Sequence, residues 1–107
     1  RGIVSTIYFK MTKALDAKDL HELYSSFYAE EFFVRILPLG SAASNRNVRL
    51  SNFCDISLHV SSNGKTGIIV STIDNMIKGA AGQAVQNMNL ALGLEETEGL
   101  TMLPPAF

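Results

Sequence analysis

The single cysteine and the two histidines of this 107-residue chain are the residue types most often used for catalysis, and none of them forms a catalytic pattern. Cys54 lies in a strand-like alternation, on the same predicted face as Ile56 and Leu58. A reactive thiolate needs a helix N-terminus, a nearby cation or a histidine base, so a small buried hydrophobe is the better interpretation of Cys54. Neither His21 nor His59 has a second histidine four residues away, which argues against a zinc site. We therefore predict no catalytic residue and no metal ligand within the chain.

The segment from Asp74 to Leu92 has the clearest helical pattern. Asp74 or Asn75 can cap its start, and Gly93 stands where a left-handed residue commonly ends a helix. One apolar stripe recurs at spacings of three or four: Ile77, Ala81, Val85, Met88 and Leu92. This stripe is expected to face the core.

Gly79-Ala80-Ala81-Gly82 is unusual near a helix start, because each glycine costs about 1 kcal/mol relative to alanine. The run leaves a surface without side chains, where another element packs tightly or a flat ligand approaches. Bare amides at a helix start also favour an anion or a carboxamide oxygen. Periodicity alone favours tight packing. The sequence contains neither the G-x-G-x-x-G motif of a dinucleotide-binding turn nor the G-x-x-x-x-G-K motif of a P-loop.

Composition limits the classes of partner. With 47% hydrophobic residues the chain can build a core, and a net charge of −1 gives no reason to expect nucleic acid or an anionic membrane surface. No apolar run approaches the roughly 20 residues that span a bilayer, and no signal peptide is recognised. One cysteine fits the reducing cytoplasm. The length predicts one domain over residues 1–107, and a strand-like start without methionine is typical of a piece of a larger protein.

The first half of the chain predicts a strand, a helix and a second strand. Residues 2–11 carry apolar side chains on both faces, which predicts a central strand. Residues 16–29 have a helical period, Asp16 can cap the helix, and one apolar stripe follows it: Leu20, Leu23, Tyr24, Phe27 and Tyr28. Residues 32–37 predict a short strand and residues 41–47 a surface loop.

The second half predicts a hairpin before the final helix. Residues 54–61 and 66–73 alternate, and Asn63-Gly64 favours a tight type I′ turn between them. An acidic loop and the tail 103–107 follow the helix. The predicted fold is therefore α+β, a mainly antiparallel or mixed sheet with helices on one face.

Several motifs together carry a family resemblance. Residues 74–90, DNMIKGAAGQAVQNMNL, are similar to D-N-hydrophobic-x-K-G-A-x-G-Q-A-V-Q-N-M-N. Residues 1–3 resemble R-G-I, 33–40 resemble F-V-R-x-L-P-x-G, 47–56 resemble N-V-x-G-S-N-F-C-D-I, and 93–100 resemble G-L-x-E-T-x-G-L. In this order the motifs resemble the last third of the N-acetyl-gamma-glutamyl-phosphate reductases, also called N-acetylglutamate semialdehyde dehydrogenases.

This resemblance implies the C-terminal domain of a glyceraldehyde-3-phosphate-dehydrogenase-like fold, whose free sheet face meets a partner subunit in a homo-oligomer. It also implies an N-terminal dinucleotide-binding domain outside these residues. The implied reaction belongs to arginine biosynthesis: an enzyme cysteine attacks N-acetylglutamyl phosphate, and NADPH reduces the resulting thioester to the semialdehyde. The cysteine motif G-C-Y-P-T and the histidine motif H-T-P-E-I belong upstream, so these 107 residues alone are expected to be inactive.

Within the chain, the resemblance implies one substrate residue and four cofactor residues. Arg1 would hold the anionic part of the substrate, since a guanidinium binds carboxylate or phosphate with two hydrogen bonds. Gln83 would contact the nicotinamide carboxamide of NADP, with Asn87 as a weaker candidate. Gly79 and Gly82 would be bare because the cofactor and the first domain pass close by.

Two questions stay open on the sequence. Arg49, Ser51 and Asn52 could line either the substrate pocket or a subunit contact. The alternative to the enzyme reading is a free-standing α+β binding or regulatory domain that self-associates through its sheet, because both faces of the strands carry apolar residues.

Overall fold

A single mixed sheet organises the chain. The structure is a computed structural model that describes residues 1–106, so Phe107 of the predicted tail lies outside the described residues. Four strands form the described sheet in the order β1-β4-β3-β2: β1 Ile3–Lys10, β2 Val34–Ile36, β3 Cys54–Val60 and β4 Thr66–Ile73. β4 runs antiparallel to β1 and to β3, whereas β2 runs parallel to β3. The predicted α+β fold with a mixed sheet is confirmed.

Two α-helices, α1 (Ala17–Phe27) and α2 (Gly82–Ala91), accompany the sheet, and a π-helix (Ile77–Ala81) leads directly into α2. Leu20 of α1 packs with Ile56 and Leu58 of β3 in the buried core. The π-helix lies on the same face, since a Cβ on Gly79 would contact the side chains of Ile3 and Ile73. α1 and the π-helix therefore lie on one face, as predicted, and we call it the helix face.

The prediction that β1 is a central strand is wrong. β1 pairs with β4 and forms the edge of the described sheet. Its apolar side chains remain exposed on both faces, with Ile3 and Ile7 about half exposed on the helix face and Val4 54% and Tyr8 68% exposed on the other. β1 does carry apolar side chains on both faces, but no other element among residues 1–106 covers them fully.

The face opposite the helices is open at its β1–β4 end. The register brings Val4 and Tyr8 of β1 beside the half-buried Ile68 and Val70 of β4. We call these four residues the open sheet face. At the other end, the loop after β2 covers the sheet, and the amide of Ala43 donates to Ser57 Oγ at 3.1 Å. The loop includes a short 3-10 helix, Asn45–Asn47.

α1 begins as predicted, because the Asp16 side chain accepts a hydrogen bond from the Asp19 amide at 2.8 Å. Its apolar stripe is only half buried, however. Leu20 is buried, whereas Leu23 is 58% and Phe27 is 77% exposed. The stripe is wider than the strip of helix surface that β2 and β3 can cover, so its outer edge stays in solvent.

The hairpin forms with the predicted strands but a different turn. Gly64 has a φ of 68°, whereas Asn63 does not have positive φ, so the predicted type I′ turn is wrong. The Gly64 amide donates to the Ser61 carbonyl at 2.9 Å, and the Lys65 amide donates to Asn63 Oδ1 at 3.0 Å. The Asn63 side chain thus fixes a longer loop instead of entering the left-handed region.

The final helix buries a different side from the one predicted, shifted by one residue or about 100° around the helix. Its buried residues are Gly82, Gln86 and Asn89, whereas Met88 is 49% and Leu92 is 66% exposed. The helical period was correct, but Met88 and Leu92 of the predicted stripe face solvent, and Val85 is half-buried. No helix among residues 1–106 combines the length and apolarity that crossing a membrane requires.

Candidate functional site

Asp74, the residue after β4, holds together three segments of the chain. Its buried carboxylate accepts from Arg1 Nε and Nη2, both at 3.0 Å. It also accepts from the backbone amides of Leu50 at 2.8 Å, Met76 at 2.8 Å and Ile77 at 3.0 Å. The side chain therefore joins the start of β1, the loop before β3 and the start of the π-helix. The sequence-based assignment of Asp74 as a helix cap captures only part of this role.

Charge at this junction is strongly stabilised. Burial alone would raise the pKa of Asp74, but the Arg1 guanidinium and the amides of Leu50, Met76 and Ile77 outweigh it and hold that pKa well below its usual range. Asp74 is therefore a carboxylate throughout the neutral range.

Leu50 reaches Asp74 through an unusual backbone conformation. Its φ is 56°, in the left-handed region that costs a non-glycine residue roughly 1–2 kcal/mol. The family motif quoted above for residues 47–56 has glycine at this position, where the present chain has leucine. A left-handed residue here turns the chain so that its amide meets Asp74 Oδ2.

Arg1 uses only part of its guanidinium on Asp74. The pair is a side-on fork made by Nε and Nη2, and it leaves the end-on edge, Nη1 with the second hydrogen of Nη2, without an acceptor among residues 1–106. The Arg1 side chain is 34% exposed, whereas Asp74 is fully buried. An anion can therefore still approach Arg1 from outside.

Asn75 is a further candidate for binding a ligand, although the sequence pattern indicated only a helix cap. Its Oδ1 accepts the Gly2 amide at 2.8 Å, which fixes the side chain and commits its only acceptor atom. Its Nδ2 donates to no atom of the described residues and is left for an external acceptor. The position directly after Asp74, within a motif that resembles the family, was the signal available in the sequence.

The two glycines that follow lie in different helices: Gly79 belongs to the π-helix, and Gly82 is the first residue of α2. The Gly79 amide donates to the Asp74 carbonyl at 2.9 Å and the Ala81 amide to the Met76 carbonyl at 3.1 Å, both five residues back. Such wide turns are rare and occur often at functional sites. The turn brings Gly79, Ala80 and Ala81 to the surface, where all three are exposed.

Gly79 and Gly82 have different surroundings. A Cβ on Gly79 would make ordinary contacts, with 3.4 Å to the Asp74 carbonyl oxygen and 3.5 Å to Ile73 Cδ1. Gly82 is buried, and a Cβ there would overlap Asn52 Oδ1 and lie 2.8 Å from the Ile77 carbonyl oxygen. The domain's own packing thus requires Gly82, which has no surface for a cofactor. Nothing within residues 1–106 requires glycine at position 79.

Gln83 and Asn87 lie one helical turn apart on α2. Gln83 Nε2 donates to Asn87 Oδ1 at 3.2 Å, which orients both amides. Gln83 is half-buried and Asn87 exposed. Gln83 Oε1 accepts no hydrogen bond from the described part of the chain, so it can receive the NH₂ of a carboxamide.

Beneath α2 lies a buried polar network centred on Gln86. Gln86 Oε1 accepts from Lys78 Nζ at 2.6 Å and from Asn52 Nδ2 at 3.0 Å, and Gln86 Nε2 donates to Glu96 Oε1 at 2.6 Å. Asn89 Nδ2 donates to the carbonyl of Glu96 at 3.1 Å. These bonds attach α2 to the loop before β3 and to the acidic loop that follows α2.

Lys78 is the cation of this network. Burial lowers the pKa of Lys78, although Cys54, Glu96 and Glu31 nearby favour its charged form. Its Nζ lies 5.4 Å from the centre of the Phe33 ring, a cation–π contact. Lys78 therefore belongs to a structural network on the helix face.

The residues left open by the sequence have packing contacts. Asn52 is buried and bonds to Gln86, and buried Ser51 donates from Oγ to the Val48 carbonyl at 2.7 Å. Arg49 is exposed. These contacts make Ser51 and Asn52 structural, and Arg49 stays available for a contact outside the chain.

The side chains of the cysteine and the histidines do not take part in the hydrogen bonds of the Asp74 junction. Cys54 Sγ is 3.3 Å from Ser71 Oγ on neighbouring strands. His21 Nε2 is 3.0 Å from the Leu37 carbonyl, and His59 Nε2 is 3.2 Å from Ser57 Oγ. Among residues 1–106 there is no cluster of three His, Cys, Asp or Glu side chains that could hold a metal ion.

Sequence comparisons identify relatives along the whole chain. Residues 1–75 match the family model for the semialdehyde dehydrogenase dimerisation domain. N-acetyl-gamma-glutamyl-phosphate reductase from Brachyspira hyodysenteriae is 58% identical over 108 residues and that from Clostridium beijerinckii 57% identical over 107, each aligned to 100% of this chain. The enzyme of the same name from Geobacter metallireducens is 55% identical over 104 residues. The chain spans 31% of the length of the first two relatives, in their C-terminal part.

Comparison with solved structures supports the fold alone. Aspartate semialdehyde dehydrogenase II from Vibrio cholerae superposes with a TM-score of 0.66 at 15% sequence identity. The superposition covers 86% of this chain and 27% of that one.

Proposed function

Because this chain belongs to the family of semialdehyde dehydrogenase dimerisation domains, we propose that it is the C-terminal part of an N-acetyl-gamma-glutamyl-phosphate reductase. The observation that carries the proposal is the 58% identity to such a reductase over the entire chain. A free-standing binding domain is less well supported, since the relatives are about three times longer.

The proposed reaction is the NADPH-dependent reduction of N-acetylglutamyl phosphate to N-acetylglutamate semialdehyde, with release of phosphate, in the arginine pathway. The nucleophilic cysteine and the histidine base come from residues outside this chain. NADPH, when bound, supplies the hydride that reduces the acyl group. We propose that the reaction takes place in the cytoplasm, which suits a chain with a single, unpaired cysteine.

Arg1 is proposed to bind the anionic part of the substrate. Its free end-on edge and 34% exposure support this role. Hydrogen bonds from guanidinium to carboxylate or phosphate are charge-assisted and directional, so Arg1 can orient the substrate as well as hold it.

The start of the final helix is proposed to face the nicotinamide end of NADP. Three observations support the fit: Gly79 is exposed and not needed for packing, Gln83 has a free Oε1, and Asn87 fixes the Gln83 amide. Gln83 would accept from the carboxamide NH₂, while Gly79 would allow the flat ring to approach. Gly82 is left out of this site because it is buried.

Two apolar surfaces are proposed as contacts within the complete enzyme. The exposed stripe of α2, which includes Met88 and Leu92, would dock on the N-terminal dinucleotide-binding domain. The open sheet face would meet a second copy of the chain, as expected for a match to a dimerisation domain. Both surfaces expose large apolar side chains that monomeric proteins seldom leave in contiguous patches.

The decisive experiment uses a full-length reductase that carries residues 1–107. Oxidation of NADPH in the presence of N-acetylglutamyl phosphate should release phosphate in equal amount. Gln83→Met keeps the side-chain length without the amide, and it should weaken NADP binding while leaving substrate binding unchanged. Arg1→Ala should do the reverse, so each variant controls for the other. An enzyme without this activity, or variants that affect both ligands equally, would contradict the proposal.

A further inference from the structure

We propose that Asp74 is a positioning residue: it holds the guanidinium of Arg1 side-on, so that the free end-on edge binds a carboxylate or phosphoryl group of the substrate. This inference rests on the proposed function and extends it to a residue that does not itself touch the substrate. The geometry that carries it is the fork between Arg1 Nε and Nη2 and the two oxygens of Asp74, both contacts at 3.0 Å.

An arginine can serve two carboxylates at once, because its N–H groups form a side-on edge and an end-on edge, each with two parallel donors. The side-on edge of Arg1 is occupied by Asp74, which uses two of the five N–H groups. The remaining three point away from Asp74 and meet no acceptor within the described chain. A planar anion can therefore form two further parallel hydrogen bonds with the end-on edge.

Asp74 is itself held rigidly, so it can transmit a fixed orientation. The Leu50 amide binds Oδ2 from one side, and the amides of Met76 and Ile77 bind Oδ1 from another. With both oxygens committed to backbone donors, the carboxylate cannot rotate without losing hydrogen bonds in a buried site. The plane of the Arg1 guanidinium is thereby fixed relative to the start of the π-helix.

The same junction connects Arg1 to the surface proposed for the cofactor. The Gly2 amide donates to Asn75 Oδ1 at 2.8 Å, and the Gly79 amide donates to the Asp74 carbonyl at 2.9 Å. These bonds connect the start of β1 to the backbone segment that contains the exposed Gly79. The Arg1 guanidinium and the exposed Gly79 are therefore anchored to the same aspartate, the first to its side chain and the second to its carbonyl.

The sign of one mutational effect separates positioning from simple charge. If Asp74 acted only through its charge, Asp74→Asn would leave Arg1 less neutralised, and an anionic substrate would bind more tightly. If Asp74 positions Arg1, the same change frees a long side chain that must be ordered again on binding, and KM rises. Ordering one such side chain corresponds to roughly three- to tenfold in affinity.

The test uses steady-state kinetics of the full-length reductase with N-acetylglutamyl phosphate. We expect Asp74→Asn to raise KM for the acyl phosphate roughly three- to tenfold, with a smaller change in kcat and an unchanged Kd for NADP. Arg1→Lys keeps the charge but lacks the fork, so it should raise KM to a similar degree. In an Arg1→Lys background, Asp74→Asn should have no further effect on KM.

The chain offers a matched control in the Arg35–Asp55 pair. Its side chains are 37% and 1% exposed, compared with 34% and 0% for Arg1 and Asp74. Arg35→Lys should lower stability without changing KM.

The proposal is overturned if Asp74→Asn lowers KM, if Arg1→Lys leaves KM unchanged, or if Arg35→Lys raises KM equally. Should Asp74→Asn fail to fold, the comparison of Arg1→Lys with Arg35→Lys still decides. A wild-type enzyme without reductase activity would contradict the proposed function instead.

Discussion

Alanine at Gly79 and alanine at Gly82 should have opposite effects on stability, although the two glycines lie in one short run. At Gly79 the new Cβ would lie 3.4 Å from the Asp74 carbonyl oxygen and farther from the neighbouring isoleucine side chains. These are ordinary contacts, and alanine is favoured over glycine in a helix by about 1 kcal/mol. Gly79→Ala should therefore raise the free energy of unfolding by roughly 0.5–1 kcal/mol.

At Gly82 the Cβ of an alanine would clash with a backbone atom. The new Cβ would lie 2.8 Å from the Ile77 carbonyl oxygen and 2.8 Å from Ile77 Cγ2, and it would overlap Asn52 Oδ1. Overpacking of this kind costs roughly 1–3 kcal/mol, and the gain in helix propensity offsets about 1 kcal/mol of it. Because the clash includes a backbone atom, the cost falls in the upper part of that range, about 2–3 kcal/mol, and Gly82→Ala should lower the free energy of unfolding by about 1–2 kcal/mol.

Urea denaturation followed by far-UV circular dichroism measures both changes in the same assay. The expected difference between the two variants is about 1.5–3 kcal/mol, which is read from the shift of the denaturation midpoint. Equal effects of the two alanines, or a destabilised Gly79→Ala, would refute the reasoning. In the full-length enzyme, Gly79→Ala should also weaken NADP binding despite its greater stability, because the added methyl occupies the surface proposed for the ring.

Three further outcomes are expected. Asp74 has a lowered pKa, so it stabilises the fold above the ordinary aspartate pKa of about 4, and this contribution is lost as the pH falls below that value; Asp74→Asn should flatten the acid limb of a stability–pH curve. Gln86→Leu should lower the free energy of unfolding by about 2–3 kcal/mol, because the buried partners of that amide lose their hydrogen bonds. Met88→Ser should lower it by less than about 0.5 kcal/mol in the 107-residue chain and by much more in the full-length enzyme, where we expect Met88 to be covered. Tyr8→Lys on the open sheet face should convert an oligomer to monomers in light scattering, and Phe27→Lys on the exposed side of α1 should not.

The sequence by itself was sufficient for the family and for most of the elements. Long, specific motifs such as residues 74–90 identified the relatives, and alternation over residues 54–60 and 66–73 predicted the hairpin strands. The capping role of Asp16 followed from local chemistry, since an N-cap bonds to an amide three residues away. These features depend on neighbours in sequence, and local propensity is enough to predict them.

The surfaces that each element buries were decided by the tertiary structure. β1 has the pattern of a central strand but lies at the edge, and α2 buries Gln86 and Asn89 while its apolar stripe is exposed. Periodicity shows that a face is apolar, but it does not show which part of the protein or which partner covers that face. Here no element within residues 1–106 fully covers either of these two faces. The turn at Asn63 differed for another reason, because Asn63 Oδ1 accepts a hydrogen bond from the Lys65 amide, and this bond competed with the left-handed backbone conformation that asparagine tolerates.

The Asp74 junction shows the same division most clearly. The sequence determined that a carboxylate precedes the helix and that an arginine starts β1, 73 positions apart. Only the pairing of β1 with β4 in antiparallel register brings the start of one strand to the end of the other and so joins Arg1 to Asp74. A contact between residues so distant in sequence depends on the whole sheet, and no local pattern of residue types encodes it.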